Sequence, residues 1–234
     1  MEKTDSWVKH SSELWTLAAD WQETAFRRRM TVMKLATGGL LVHSAVDLRA
    51  EQWAELQSFG PVEGILVPNF FHDSEAPVYA HRFPGAKLFA PESCQKKMMK
   101  ACLDRPIFKL EEDWEGSTWA NEVVCIPIQG LRLVAEAVFL HRGSRTLVMC
   151  DMAFNMREEQ FQGLERRMMR WNRVGQGFGP SRLATSFFVK DSKKAALSFQ
   201  KIANLDFDRV IVNHGDILET DGKAEYLRAF SKFL

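Results

Sequence analysis

The stretch Gly64–Ser74, which reads G-I-L-V-P-N-F-F-H-D-S, decides the fold because a buried strand runs directly into a polar loop. Gly64–Val67 is a short apolar run with branched side chains, which is typical of a buried strand. Pro68 cannot donate to a sheet ladder, so we expect the strand to end before it. The loop that follows carries four polar side chains: Asn69, His72, Asp73 and Ser74. In layered α/β proteins, sites are usually built at such strand ends.

Other apolar runs end in the same way. Leu147–Cys150 leads into Asp151, and Arg209–Val212 leads into N-H-G-D, which contains His214 and Asp216. His43 follows the apolar run Leu40–Val42, the second strand of a predicted hairpin. Strands that deliver imidazoles and carboxylates to the same kind of edge predict one convergent site.

The composition excludes several classes of protein. The chain has 234 residues, and its 31 basic and 30 acidic side chains nearly cancel, so we expect neither nucleic acid nor a membrane as a partner. No apolar run approaches the roughly 18 residues that a membrane-spanning helix needs. The N-terminus lacks the layout of a secretion signal. The four cysteines show no C-x-x-C spacing, and the simplest interpretation is reduced thiols in the cytoplasm.

The N-terminal segment predicts an amphipathic helix over Ser6–Phe26, because Trp7, Leu14 and Ala18 fall near one stripe. We therefore divide the chain into an N-terminal helix, residues 1–28, and a domain, residues 29–234. For the run Arg27–Arg29, a solvated helix end is favoured over an anion or nucleic-acid contact.

Strands come first in hairpins and later alternate with helices, which indicates a single α/β domain. Gly175, Gly177 and Gly179 could be mistaken for a phosphate-binding loop. They follow the predicted helix Glu159–Arg173 and precede a proline, whereas a phosphate loop lies between a strand and a helix N-terminus. We interpret them as a helix stop.

The strand-end histidines are the most informative residues. A single such histidine is usually structural, and this is our interpretation of His141. Two or more histidines beside Asp73 and Asp151 have a chemical use, since imidazole and carboxylate are the ligands that hold zinc, manganese or iron. A bound ion would lower the pKa of a coordinated water to about 7.

The order and spacing of these stretches resemble the metallo-β-lactamase fold superfamily, and more closely an uncharacterised branch of it known only as a domain of unknown function. The matching stretches are R-M-T-V-M-K-L with L-L-V-H-S, G-P-V-E-G-I-L-V-P-N-F-F-H-D, E-A-V-F-L-H-R-G-S-R-T-L-V-M-C-D-M-A-F-N and V-I-V-N-H-G-D-I-L-E-T-D-G. The resemblance implies a four-layer αββα sandwich, here with an extra N-terminal helix, and metals held at one edge of the two sheets.

The chain departs from the family's metal loop, H-x-H-x-D-H. Its first histidine becomes Asn69, its second Phe71 and its last Ser74, while Asp73 matches and His72 is out of step by one position. Asp151 matches the bridging aspartate and His214 the final histidine. Glu136 is the nearest candidate for a further missing histidine. The resemblance therefore implies either no cofactor or a single divalent metal, zinc, manganese or iron.

Two functions remain open. The first is a pseudoenzyme that binds a small molecule or a protein partner, with the N-terminal helix and Glu111–Glu115 as candidate contact surfaces. The second is a mononuclear metal-dependent hydrolase of an ester, amide or phosphoester. Its predicted metal ligands are His72, Glu136, Asp151 and His214, and its predicted catalytic residues are Asp73 and Asp151.

The predicted pocket-lining residues are His43, Asn69, Ser74 and Asp216. The helix Glu159–Arg173 either covers the pocket or forms a homodimer contact.

Overall fold

The structure is a computed structural model, and it describes residues 5–20, 26–102, 105–132 and 134–234. The chain forms two compact units, Met1–Cys125 and Ile126–Leu234. No helix in the described ranges is long and apolar enough to cross a bilayer.

The first unit contains a seven-stranded sheet whose strands lie in chain order. Its strands are β1 (Val8–Ser11), β2 (Leu14–Asp20), β3 (Arg27–Lys34), β4 (Leu40–His43), β5 (Val62–Leu66), β6 (Lys87–Ala90) and β7 (Ile107–Lys109). Pairing is antiparallel from β1 to β4 and parallel from β4 to β7. Its helices are α1 (Ala50–Phe59), α2 (Ala76–Arg82) and α3 (Gln95–Ala101). The predicted hairpin and the predicted strand before Pro68 are confirmed.

The N-terminal segment corrects the sequence prediction. Over the described residues, the predicted helix Ser6–Phe26 is wrong, because the chain forms β1 and β2 there; residues 1–4 and 21–25 lie outside the described part. Strand β2 is buried along most of its length, and Trp15 stacks on Phe59 with ring centroids 4.6 Å apart. A strand buried on both faces shows no period-two alternation, so its apolar residues also satisfied a helical spacing.

The core of the first unit lies between this sheet and its helices. Tyr79 is fully buried and packs against Trp53 at 4.5 Å between ring centroids. Trp114 is also buried, and its Nε1 donates to the carbonyl of Val123 at 3.0 Å. The tryptophan of the acidic segment Glu111–Glu115 is therefore a core residue and not part of a contact surface.

The second sheet has four strands in the order β11-β10-β9-β8. They are β8 (Val123–Pro127), β9 (Ala137–His141), β10 (Thr146–Met149) and β11 (Arg209–Val212). Strand β10 pairs antiparallel with β9 and parallel with β11. The helices of the second unit are α4 (Gly163–Trp171), α5 (Ser192–Ala203) and α6 (Gly222–Ala229). The predicted helix Glu159–Arg173 and the predicted strand Arg209–Val212 are confirmed as α4 and β11, and the glycine run follows the end of α4 as expected.

Candidate functional site

In the first unit, the candidate residues lie where parallel strands end. His43 is the last residue of β4, and the loop 69–74 follows β5, its parallel neighbour. Both carboxyl ends meet at the same edge of the sheet, so the sequence correctly placed His43 and this loop at one edge.

Asn69 shapes the loop. It is fully buried, and its Oδ1 accepts from the backbone N–H groups of Phe71 at 2.8 Å and His72 at 3.2 Å. An asparagine that bonds its own following backbone fixes a tight turn. This turn places the His72 side chain inside the unit, where a hydrogen bond of 3.0 Å joins its Nδ1 to Ser44 Oγ. Asn69 therefore positions His72 through the backbone.

His43 is a completely buried imidazole. Burial, with a smaller contribution from the nearby His72, lowers the pKa of His43 to about 3. Desolvation disfavours the charged form of a base, so the ring is neutral at physiological pH.

Asp73 carries a buried carboxylate with a built-in counter-ion. Only 1% of the residue is exposed, and its Oδ1 lies 2.5 Å from Nζ of Lys97 on α3. Its Oδ2 is buried and accepts no hydrogen bond from the described residues. The Lys97 ammonium also lies 5.1 Å from the ring centroid of Phe70. A buried carboxylate needs a nearby cation, and Lys97 of α3 supplies it to Asp73.

A second cation holds the same loop from strand β3. Arg28 donates from one guanidinium nitrogen to Ser74 Oγ at 3.0 Å and from another to the carbonyl of Phe71 at 2.8 Å. Phe71 itself is 48% exposed. The interpretation of Arg27–Arg29 as a solvated helix end is therefore wrong: the run lies in a strand, and Arg28 is buried against the loop.

In the second unit, β10 and β11 are parallel neighbours with Met149 opposite Val212. The residues after these strands therefore emerge side by side. His214 Nε2 lies 3.1 Å from Asp151 Oδ1, and the His214 ring stacks on Phe154 at 5.6 Å between centroids. The sequence-based prediction that these two strand ends bring Asp151 and His214 together is confirmed.

Glu136 anchors the turn that carries Asp151. It is buried, and its two carboxylate oxygens accept from the backbone N–H groups of Cys150, Asp151 and Met152 at 3.1, 2.8 and 2.9 Å. Burial and the charge of Asp151 raise the pKa of Glu136 to about 8, while the three amide donors oppose that rise. The structure thus gives Glu136 a positioning role that the sequence did not suggest; its predicted role as a metal ligand stays a prediction.

The loop after β11 is clamped by Asn155. The N–H of Asn155 donates to the carbonyl of His214 at 3.0 Å, and its own carbonyl accepts from the N–H of Asp216 at 2.8 Å. The Asp216 carboxylate forms an ion pair of 2.9 Å with Arg157, with both side chains largely exposed. Asp216 is thus a surface ion-pair residue near the candidate pair.

Each unit therefore presents candidate ligands with different surroundings. In the first, Asp73 and Ser74 are already engaged by Lys97 and Arg28. In the second, Asp151 and His214 contact each other as a carboxylate–imidazole pair, two donors of the kind that zinc and iron accept. That the strand ends of both units build one site stays a prediction. Sequence reasoning missed Lys97 and Arg28, because nothing local signals their contacts with residues 24 to 46 positions away.

Comparison with known proteins gives the family and the fold. The family model described as "Domain of unknown function (DUF4336)" matches residues 15–166. No curated protein sequence matches the chain significantly.

Solved structures match over almost the whole chain. The metallo-β-lactamase FIM-1 from Pseudomonas aeruginosa, in its mono-zinc form, is 12% identical with a TM-score of 0.62, over 97% of this chain and 95% of that one. A putative diflavin flavoprotein fragment from Nostoc sp. PCC 7120 is 10% identical with a TM-score of 0.64, over 100% and 96%. A flavo di-iron protein from Thermotoga maritima is 13% identical with a TM-score of 0.63, over 100% of this chain and 62% of that one. At such identities these matches establish the fold, and the predicted α/β fold of metallo-β-lactamase type is confirmed.

Proposed function

Because the chain belongs to the DUF4336 family and has the metallo-β-lactamase fold, we propose that it is a small-ligand- or partner-binding protein with a degenerate metal site. The fold alone does not specify catalysis, since one fold hosts many unrelated functions. The proposal depends on how the side chains of this chain differ from those of a metal-binding loop.

The observation that carries the proposal is the 2.5 Å contact between Asp73 and Lys97. A divalent ion beside Asp73 would neutralise its buried charge, and the Lys97 ammonium already does so. An ion bound there would have to displace the ammonium or remain next to a like charge, and both cost free energy. The same loop offers an exposed phenyl ring at Phe71 and a Ser74 hydroxyl that already accepts from Arg28. The Asp73 and Ser74 side chains of this loop are therefore poorly placed to hold a metal ion.

The contact between Asp151 and His214 favours a second candidate, a mononuclear metal-dependent hydrolase. Two of the structural relatives are a metallo-β-lactamase in its mono-zinc form and a flavo di-iron protein. In this candidate Asp151 and His214 would hold the ion, which would supply an activated water at neutral pH. Catalytic zinc usually has three protein ligands. In the second unit the Cys150 sulfur lies within 4.8 Å of an Asp151 carboxylate oxygen and is a candidate third donor beside His214. The prediction that His72 completes the shell stays a prediction.

Metal analysis of the untagged full chain separates the two candidates. The protein would be purified from cells supplied with zinc, manganese and iron, and its metal content measured by elemental mass spectrometry. The binding-protein proposal predicts substoichiometric metal, with no change in metal content in Asp151→Asn or His214→Gln. About one ion per chain, lost together with melting temperature in both variants but not in the surface control Asp206→Asn, would instead establish the hydrolase candidate.

A second experiment tests the lysine directly. Lys97→Met keeps the length of the side chain but leaves the Asp73 carboxylate without its cation. We expect a lower melting temperature and a partial recovery on addition of zinc, in this variant only, with Lys96→Met as the neighbouring control. If zinc stabilises the unsubstituted protein equally well, the ammonium does not replace an ion and the proposal is wrong.

A further inference from the structure

Helix α4 has an apolar stripe that nothing in the described chain covers. Not one of its residues is buried. Leu164, Met168 and Trp171 are 70%, 56% and 65% exposed. Their spacing of four and three residues puts them on one face of the helix. An amphipathic helix normally buries such a face, so its exposure indicates a binding surface.

A segment tied to the end of α4 carries further exposed apolar side chains. The N–H groups of Arg182 and Leu183 donate to the backbone carbonyl and side-chain oxygen of Asn172, each at 2.8 Å, and so tie this segment to the end of α4. Leu183 and Phe187 are 46% and 44% exposed. We call the five exposed side chains the apolar patch: Leu164, Met168, Trp171, Leu183 and Phe187.

The apolar patch is surrounded by arginines. Residues 163–173 contain four arginines and one glutamate, at positions 166, 167, 170, 173 and 165. The Arg182 guanidinium lies 5.8 Å from the Trp171 ring centroid, and that of Arg132 lies 4.4 Å from the Phe187 ring centroid. Glu158 pairs with Arg166 at 2.9 Å and reaches Arg170 at 3.8 Å. The cations still outnumber the acidic groups, so the surface attracts anions.

Three kinds of partner could cover such a surface. A second copy in a symmetric dimer would bring the same arginines together, which repels. Nucleic acid would satisfy the arginines and leave the aliphatic side chains in water. An anionic bilayer satisfies both, because its interface accepts Trp, Leu and Met while its phosphates attract arginine.

We propose that α4 and the apolar patch form a docking surface for anionic lipid membranes. The helix lies in the plane of the interface, with the apolar patch among the upper acyl chains and the arginines extended toward the phosphates. The prediction of no membrane partner rested on the near-zero net charge of the whole chain. Net charge is a sum over the chain and does not reveal a local cluster of arginines. This surface is independent of the candidate metal residues.

Vesicle flotation of the full chain tests the proposal, using phosphatidylcholine vesicles with and without phosphatidylglycerol. We expect binding to the anionic vesicles only, and weaker binding as salt rises. The double variant Leu164→Ser/Trp171→Ser should lose at least about tenfold in affinity, since it removes two inserted side chains. Arg167→Gln/Arg170→Gln should lose affinity mainly at low salt. Leu197→Ser removes a leucine that is 59% exposed on α5 and should bind normally.

In the flotation experiment, equal binding to neutral and anionic vesicles, or no binding to either, would overturn the proposal. Sedimentation velocity on the same protein samples measures self-association and so tests for a second copy as the partner. Self-association that disappears in Leu164→Ser/Trp171→Ser, without vesicle binding, would assign the surface to a second copy. Circular dichroism of each variant would verify that a loss of binding is not a loss of fold.

Discussion

At the scale of single residues, the cations Lys97 and Arg28 occupy the Asp73 and Ser74 side chains of the loop 69–74. The sequence located the loop and identified Phe71 and Ser74 as departures from a metal-binding motif. It did not show that Lys97 lies 2.5 Å from Asp73 or that Arg28 donates to Ser74. Contacts between residues far apart in sequence depend on the register of strands and the rotation of helices, which no local pattern specifies. Asp151 and His214 were predictable because parallel neighbouring strands deliver them to one edge.

The buried His43 makes the protein sensitive to acid. Its pKa is lowered to about 3 in the folded chain and lies near 6.5 when unfolded, so below pH 6.5 the unfolded state binds the extra proton. The free energy of unfolding should therefore fall as pH drops from about 6.5 toward 3, by up to about 1.4 kcal/mol per pH unit from this residue. Urea unfolding across this pH range measures it.

The matched comparison is His43→Gln, which cannot take up the proton. The stability gap between the unsubstituted protein and this variant should narrow as the pH falls, whereas the exposed His81→Gln should leave the pH dependence unchanged. A gap that stays constant between pH 7 and pH 4 would mean that the imidazole is protonated in the folded state.

At the scale of elements, the sequence predicted the strands of hairpins and the strands that alternate with helices. It wrongly predicted a helix for the N-terminal segment, which forms strands. Strand β2 pairs along its whole length with β3, from Leu14 opposite Met33 to Asp20 opposite Arg27. The apolar residues of β2 fit a helical spacing only weakly, and pairing with the eight-residue strand β3 outweighs this local preference. The helix α4 was predicted from composition, yet its exposure could not be, since burial depends on what packs against an element.

The loop after β11 depends on one glycine. Gly215 has φ of +104°, and a Cβ added there would lie 2.1 Å from the carbonyl oxygen of Asn155. Gly215→Ala should therefore break the Asn155 clamp that positions His214 and lower the free energy of unfolding by about 2 kcal/mol or more. Urea unfolding gives the value. Gly177→Ala is the control, because φ is +85° there but no atom lies within 4 Å of the added Cβ. Equal losses in both variants would mean that backbone strain alone, and not the clamp, sets the cost.

At the scale of the whole molecule, all four cysteines are buried and none of them forms a disulfide. Each of the two compact units contains at least one of them. Burial raises the pKa of Cys94 to about 11 and raises the pKa of Cys125 well above its usual range. Since the thiolate is the reactive form, both burial and low ionisation slow its chemistry. The native protein should react with a thiol reagent such as dithiobisnitrobenzoate far more slowly than the urea-unfolded chain, which should show four thiols.

This labelling also measures how each unit opens. Cys94 lies in the first unit and Cys150 in the second, so pulse labelling at increasing urea, followed by peptide mass analysis, reports the opening of each unit by its own cysteine. We expect both thiols to stay protected until the main unfolding transition, because each side chain is fully buried within its unit. Melting temperature should be the same with and without reductant, since no disulfide links the described cysteines. Rapid labelling of Cys150 in the native protein would contradict the packing of the Asp151 turn against Glu136.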